Sequence, residues 1–480
     1  MDFKLKNIIS KNGLTILFLF LLFFYITFGL FNTYFCPIVT DVCYDVVYSL
    51  DSGEHYWRLY IEKCVLSNKH PYAYLLISPF ISLLKIFIHD TKLVAIILQS
   101  IIECSTLLLI YKILYSLTKR KTTAILWAGV FGFSLTAILF AIFPEMYVWA
   151  GFTQILTLSY IIKLYLSETK KLNNMNIIVL SMLMLINYGI NEINIVSGIF
   201  LVTFLLCKVY GRNIKLIVKA FSKIMLLSLL FAVIGFGLQK YILYFNGYTT
   251  VKDLSNIEFD FYLGKIFDVV TGTFIEPFYA LKSGNSVLTH LRKDIFGESV
   301  HIYRYLKLPE QNPLQYVPAL LLILIPISFY GKINKHRGLV NVILLWVILC
   351  TIFNYAHNSY ECALFALNYF PILIVLIGYL YNQIQFKHKD ILVVMFIIFE
   401  AVVNVHNLFK MHAFLINDDI IKHFRLSVMY SLVIVFLFSA LILPINKILY
   451  KSLSNIKDKY YSYMLIHILL IAIFSLSKFI

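Results

Sequence analysis

The chain has 480 residues, is 60% hydrophobic and carries a formal net charge of +16. Apolar runs of about 17–25 residues recur along its whole length, which excludes an ordinary soluble domain and implies an all-α, polytopic membrane protein. The basic excess does not call for nucleic acid, because cytoplasmic loops of membrane proteins are normally rich in Lys and Arg.

The first apolar run, Leu14 to Phe31, follows Lys4, Lys6 and Lys11. Asn32-Thr33-Tyr34-Phe35-Cys36 is too bulky for a small-x-small cleavage site, so the run is read as a retained first span with a cytoplasmic N-terminus. A mixed loop leads to Pro71, and the next apolar piece is Tyr72 to Ile88. Were that piece to span, the cluster Lys119-Arg120-Lys121 would be exported. Laid along the outer surface, as Pro79 and Lys85 within it favour, it leaves the cluster inside. Leu93 to Tyr115 is then the second span. Others are expected at Ala124–Phe143, Tyr147–Leu166, Ile177–Tyr188, Ile195–Val209, Ile224–Phe245 and Leu314–Tyr330. The series ends with Leu339–Phe353, Cys362–Tyr381, Ile391–Leu408, Leu426–Leu449 and Tyr463–Phe479, about 13 spans in all. By this threading roughly 24 Lys and Arg lie inside against about four acids, as the positive-inside rule requires. The chain reads as one integral domain, 1–480, of the cytoplasmic (inner) membrane, with long extracytoplasmic loops at 32–92 and 246–313.

Chemistry has few places to reside. The first outer loop holds Asp51, Glu54, Arg58, Lys69 and His70. From Glu54 onward, Trp57, Tyr60, Ile61, Cys64 and Val65 recur at helical spacing, the pattern of a helix resting on the membrane surface. Asp51 suits an N-cap, with Glu54 three residues on completing a capping box, and such a cap also holds a carboxylate still. Glu145, after Pro144, returns a second carboxylate to the same face at a helix start. Gln99, Glu103 and Glu400 fall at membrane depth, where acids are candidates for function or for internal hydrogen bonding. Asn187, Asn191, Glu192 and Asn194 mark a short outer hinge. Later outer segments supply His357 and Glu361, and a basic group of Arg292, Lys293, His301, Arg304 and Lys307. The seven cysteines have no metal-ligand spacing. Cys36, Cys43 and Cys64 share the first loop and leave room for one disulfide.

This layout resembles the GT-C superfamily of integral-membrane glycosyltransferases, such as protein O-mannosyltransferases and aminoarabinose transferases. The resemblance is carried by Asp51-Ser52-Gly53-Glu54-His55-Tyr56, by Lys69-His70-Pro71-Tyr72 and by Pro144-Glu145, in that order on one membrane face. Phe365 to Leu373 is similar to an Arg-Tyr-x-x-Pro-like region late in that fold. Tyr72 stands where the family has a second Pro, and Asn368 where it has Arg. The resemblance implies a polyprenyl-phosphate sugar donor in the outer leaflet and a lipid- or protein-linked acceptor. Asp51 would be the general base, assisted by Glu54, while Glu145 would orient the acceptor or help hold a divalent ion (Mg or Mn). Lys69 and His70 would face the phosphate, with Arg58, Arg304, His357 and Glu361 as further substrate-binding candidates. Two other readings stay open: a surface-glycan polymerase or ligase centred on the 246–313 loop, and a lipid-linked glycan flippase centred on the buried acids.

Overall fold

In the computed structural model the described residues are 2–40, 56–61, 70–167, 171–245, 317–333, 335–357, 366–386, 388–415 and 420–435, with short pieces between 273 and 308. They form a helical bundle. The exceptions are two antiparallel strand pairs, β1 (Ser283–Gly284) with β4 (Lys307–Leu308) and β2 (Leu288–Lys293) with β3 (Ser299–Arg304), all within the second long loop. Among the described residues four helices are long and apolar enough to cross a membrane, five if one bent pair counts as a span. Shorter apolar helices accompany them, as a multi-pass membrane protein requires.

The first helix, α1 (Asp2–Gly29), runs into a single π-turn over Leu30–Tyr34. After the first loop, α2 (Ala73–Lys85) is only 13 residues long. At 1.5 Å per residue it measures roughly 20 Å, shorter than the ~30 Å hydrocarbon core. The axis of the bundle is α3 (Thr91–Thr118), whose apolar window is 89% buried. Asp90 caps it by accepting from the Lys92 and Leu93 amides at 2.9 and 3.1 Å. α1 approaches this axis closely, since a Cβ at Gly29 would lie 2.5 Å from Ile96 Cγ2. Lipid offers no hydrophobic drive between helices, so small residues that allow such contact are what hold them together.

The span expected at Ala124–Phe143 is broken. It consists of α4 (Lys121–Phe133) and α5 (Leu135–Ile142), which meet at 59°. Ser134 is extended between them, and its Oγ accepts from the Ala137 amide at 3.2 Å. The next amides are satisfied from the second long loop: Leu135 N donates to Phe278 O at 2.9 Å and Thr136 N to Pro277 O at 3.0 Å. Irregular backbone at membrane depth survives only when protein supplies its partners, and here a returning loop does so.

The remaining helices are α6 (Tyr147–Leu166), α7 (Asn174–Ile190), α8 (Asn194–Tyr210), α9 (Ile214–Phe245), α10 (Val317–Ser328), α11 (Arg337–His357), α12 (Phe370–Tyr381) and α13 (Lys389–Leu415). A further helix, α14, covers 420–435. α6 has the boundaries expected for its span. α12 starts later than expected, at Phe370, because a 3-10 turn over Ala366–Asn368 precedes it and Pro371 suits its first turn. The last expected span, Tyr463–Phe479, and most of Leu426–Leu449 lie outside the described residues.

Candidate functional site

Glu145 is fully buried at the hinge between α5 and α6. Its Oε1 accepts from the Met146 amide at 2.8 Å and its carbonyl from Gln99 Nε2 at 2.9 Å. The carboxylate therefore sits at the positive end of α6, pinned to the central helix α3. Gln99 was legible only as a polar residue at membrane depth; its work is to hold this hinge.

His70 is also buried, 6% exposed. Its Nδ1 lies 2.6 Å from the Ile190 carbonyl. A carbonyl only accepts, so Nδ1 carries a proton and the neutral ring has Nε2 as its acceptor. The ring meets Tyr147 edge-on, with centroids 5.6 Å apart. Tyr147 opens α6 two residues after Glu145, so the structure brings His70 to the Glu145 hinge. Backbone bonds fix this approach: Tyr72 N donates to Gly189 O at 2.8 Å, and a Cβ at Gly189 would fall 2.8 Å from that of Tyr72. Only glycine leaves room there for the chain to enter beside α7.

The ordered turn of the first loop packs beside the same hinge. Tyr56 and Tyr60 stack with centroids 5.8 Å apart, and the Lys85 ammonium donates to the Tyr60 carbonyl. The Tyr60 hydroxyl lies beside the Gln99 amide, and burial pushes its phenol well above the usual range. Tyr56 is pushed up to about 12, chiefly by burial, with the Asp90 charge adding to it. The turn Trp57–Ile61 is π-helical, not α-helical. Its wider turn buries Leu59 with Tyr60 and leaves Ile61 45% exposed, so Ile61 leaves the expected apolar stripe.

Asparagines close the remaining sides. Asn191 Nδ2 donates to Asn368 Oδ1 at 3.2 Å, and Trp346 Nε1 donates to the Asn368 carbonyl at 2.9 Å. Gln154 Nε2 donates to Asn194 Oδ1 at 2.6 Å. Asn368 thus ties the α7–α8 hinge and the middle of α11 to the start of α12. An apolar groove of about 390 Å³ runs from Tyr72, two residues after His70 in sequence, past Met184, Tyr188, Met225 and Phe236. Leu226, Leu229 and Val233 of α9 are each more than 60% exposed beside it, so the groove opens on a face suited to lipid.

No protein-family model matches the chain, and no curated protein matches it. Of the residues singled out from sequence, Glu145 and His70 converge. Asp51, Glu54, Lys69 and Glu361 lie outside the described residues. Arg58, His357 and Arg304 are placed by their backbone alone: in the π-turn, at the last position of α11 and at the end of β3, where Arg304 pairs with Leu288. Cys36 is a buried free thiol, which removes it from the expected disulfide; Cys43 and Cys64 lie outside the described residues. Among the described residues no three His, Cys, Asp or Glu are grouped to hold a metal ion.

Proposed function

We propose that this protein is a membrane glycosyltransferase that moves a sugar from a polyprenyl-phosphate donor to an acceptor hydroxyl at the extracytoplasmic face. One juxtaposition carries the reading: His70 packs on Tyr147 at the Glu145 hinge, and two residues on, Tyr72 begins the lining of an apolar groove whose α9 side is exposed. A lipid-linked phosphate needs that combination, a greasy slot for its chain beside polar groups for its head. Lys69 and His70, neighbours in sequence, would supply the cationic donors to the phosphate, His70 as the imidazolium with its Nδ1–H kept on the Ile190 carbonyl.

The chemistry follows from the charges. Asp51 takes the proton of the acceptor hydroxyl as that oxygen attacks the anomeric carbon. The new C–O bond forms as the bond from the anomeric carbon to the phosphate oxygen breaks. Polyprenyl phosphate leaves with the electron pair, and a cation beside it lowers the barrier. One direct displacement inverts the anomeric centre. Glu145 orients the acceptor.

The test is transfer from a labelled polyprenyl-phosphate sugar by the full-length protein in vesicles. Asp51→Asn and Glu145→Gln are expected to lose transfer by at least about 100-fold, the usual scale for a positioned acid or base. His70→Asn keeps a donor for Ile190, so it is expected to stay folded and lose donor turnover. Full transfer by Asp51→Asn would remove the base from this scheme. The flippase reading keeps one observation of its own, the broken α4–α5 span. It predicts instead that Asp51→Asn is silent while Glu103→Gln or Glu400→Gln is not.

A further inference from the structure

Buried polar side chains in this bundle serve mostly as hydrogen-bond glue. Tyr25 of α1 donates to Gly132 O at 2.7 Å, Thr33 to Ile142 O at 2.6 Å, and Asn404 of α13 to both Phe133 O and Phe278 O at 2.9 Å. Glu103 of α3 and Glu400 of α13 do not follow this pattern. Both are 0% exposed, and all four of their carboxyl oxygens lack a hydrogen-bond partner among the described residues. An acid kept for structure would use its hydroxyl or its carbonyl oxygen, as its neighbours do.

The two acids are related in space. Tyr25 donates to Gly132 O and Asn404, one turn after Glu400, to Phe133 O, while a Cβ at Gly132 would lie 2.9 Å from Leu107 Cδ1, one turn after Glu103, so both acids lie near the break with Tyr25 and the Cys104 thiol. These are the titratable groups that face the site, from α1, α3 and α13. A carboxylate without a partner at this depth carries a large desolvation penalty, so each acid rests as the neutral carboxylic acid. A metal ion would need a cage, and no group of three ligands exists among the described residues. A proton needs none.

A polar route leads away from Glu400 along the buried side of α13. Asn404 follows one turn on, with Oδ1 unpartnered, and then Asn407, whose Nδ2 is likewise unpartnered.

We propose that Glu103 and Glu400, beside Tyr25 at the broken span, are proton-loading acids inside the bundle, and that Glu400 exchanges its proton along the Asn404–Asn407 side of α13. The test is infrared difference spectroscopy of the full-length protein in lipid nanodiscs, with glutamate carbon-13-labelled at the carboxyl. The wild type is expected to show protonated-carboxyl C=O bands that shift in heavy water and fade reversibly on alkaline titration. Glu103→Gln and Glu400→Gln should each remove one band, and Asn404→Leu should slow exchange of the Glu400 band by at least tenfold. Bands that neither exchange nor titrate while the protein stays folded would make both acids permanently neutral and overturn the proposal. So would carboxylate signals alone at neutral pH. Because exchange and titration are read in the unmodified protein, a variant that misfolds does not blunt the test.

Discussion

His412 shows what one residue can report about the end of the bundle. Its ring stacks on Phe31 with centroids 3.7 Å apart, faces His423 and lies beside Cys36. Burial first, and then the His423 charge, lower its pKa from 6.5 to about 4, against a weaker opposing effect from the Phe31 backbone. The unfolded chain takes up this proton near 6.5, whereas the folded one resists until about 4. The unfolded state therefore binds more protons between those values, and stability present above 6.5 drains as the pH falls toward 4. His412→Phe keeps the aromatic stack and removes the titration. Melting temperatures followed across that interval are expected to fall for the wild type and to stay flatter for the variant. Parallel slopes for the two proteins would locate the acid sensitivity elsewhere. The Cys36 thiol, pushed up to about 12 by burial against a weaker pull from Lys92, stays protonated throughout.

At the scale of elements, the broken α4–α5 span invites the sharpest stability prediction. Ser134 caps α5, and Asn404 bridges the two carbonyls at the break. Ser134→Ala is expected to cost about 1 kcal/mol, the usual worth of an N-cap. Asn404→Leu takes the side-chain donor from the Phe133 carbonyl, while Phe278 O keeps the Leu135 amide, and is expected to cost about 1–3 kcal/mol. Thermal unfolding in one detergent ranks the two; equal melting of Asn404→Leu and wild type would mean that packing alone holds the break. Sequence periodicity read 124–143 as a single span because hydropathy is blind to where a helix stops. A serine in an apolar run carries no warning, since its usual role is to bond back to its own helix. The partner that lets the backbone turn, Phe278, comes from about 140 residues further along the chain, a distance no local pattern reports. By contrast, Tyr147–Leu166 was legible end to end, because Pro144 and Glu145 announce its start. The Glu145 hinge was legible for the same reason. Its pairing with His70 was not, since that pairing depends on Gly189 admitting the chain beside α7.

At the scale of the whole molecule, the polar hinges fall at one end of the bundle. Glu145 precedes α6, His70 precedes α2, Asn191 joins α7 to α8 and Asn368 precedes α12. The basic clusters, Lys119 to Lys121 after α3 and Lys208 to Lys223 after α8, fall at the opposite ends of those same helices. If the basic end is cytoplasmic, as charge asymmetry dictates, the hinges face outward. Cys207 tests this directly, being an exposed thiol one residue before Lys208, whereas Cys36, Cys104 and Cys350 are buried. A membrane-impermeant maleimide is expected to spare Cys207 in intact cells and to label it once the membrane is opened, with the site mapped by mass spectrometry. Labelling of Cys207 in intact cells would invert the topology. Glu145 and His70 would then face the cytoplasm, where a donor in the outer leaflet does not reach them. The orientation of the bundle therefore decides whether the pairing of lipid groove and polar hinge can meet the substrate proposed for it.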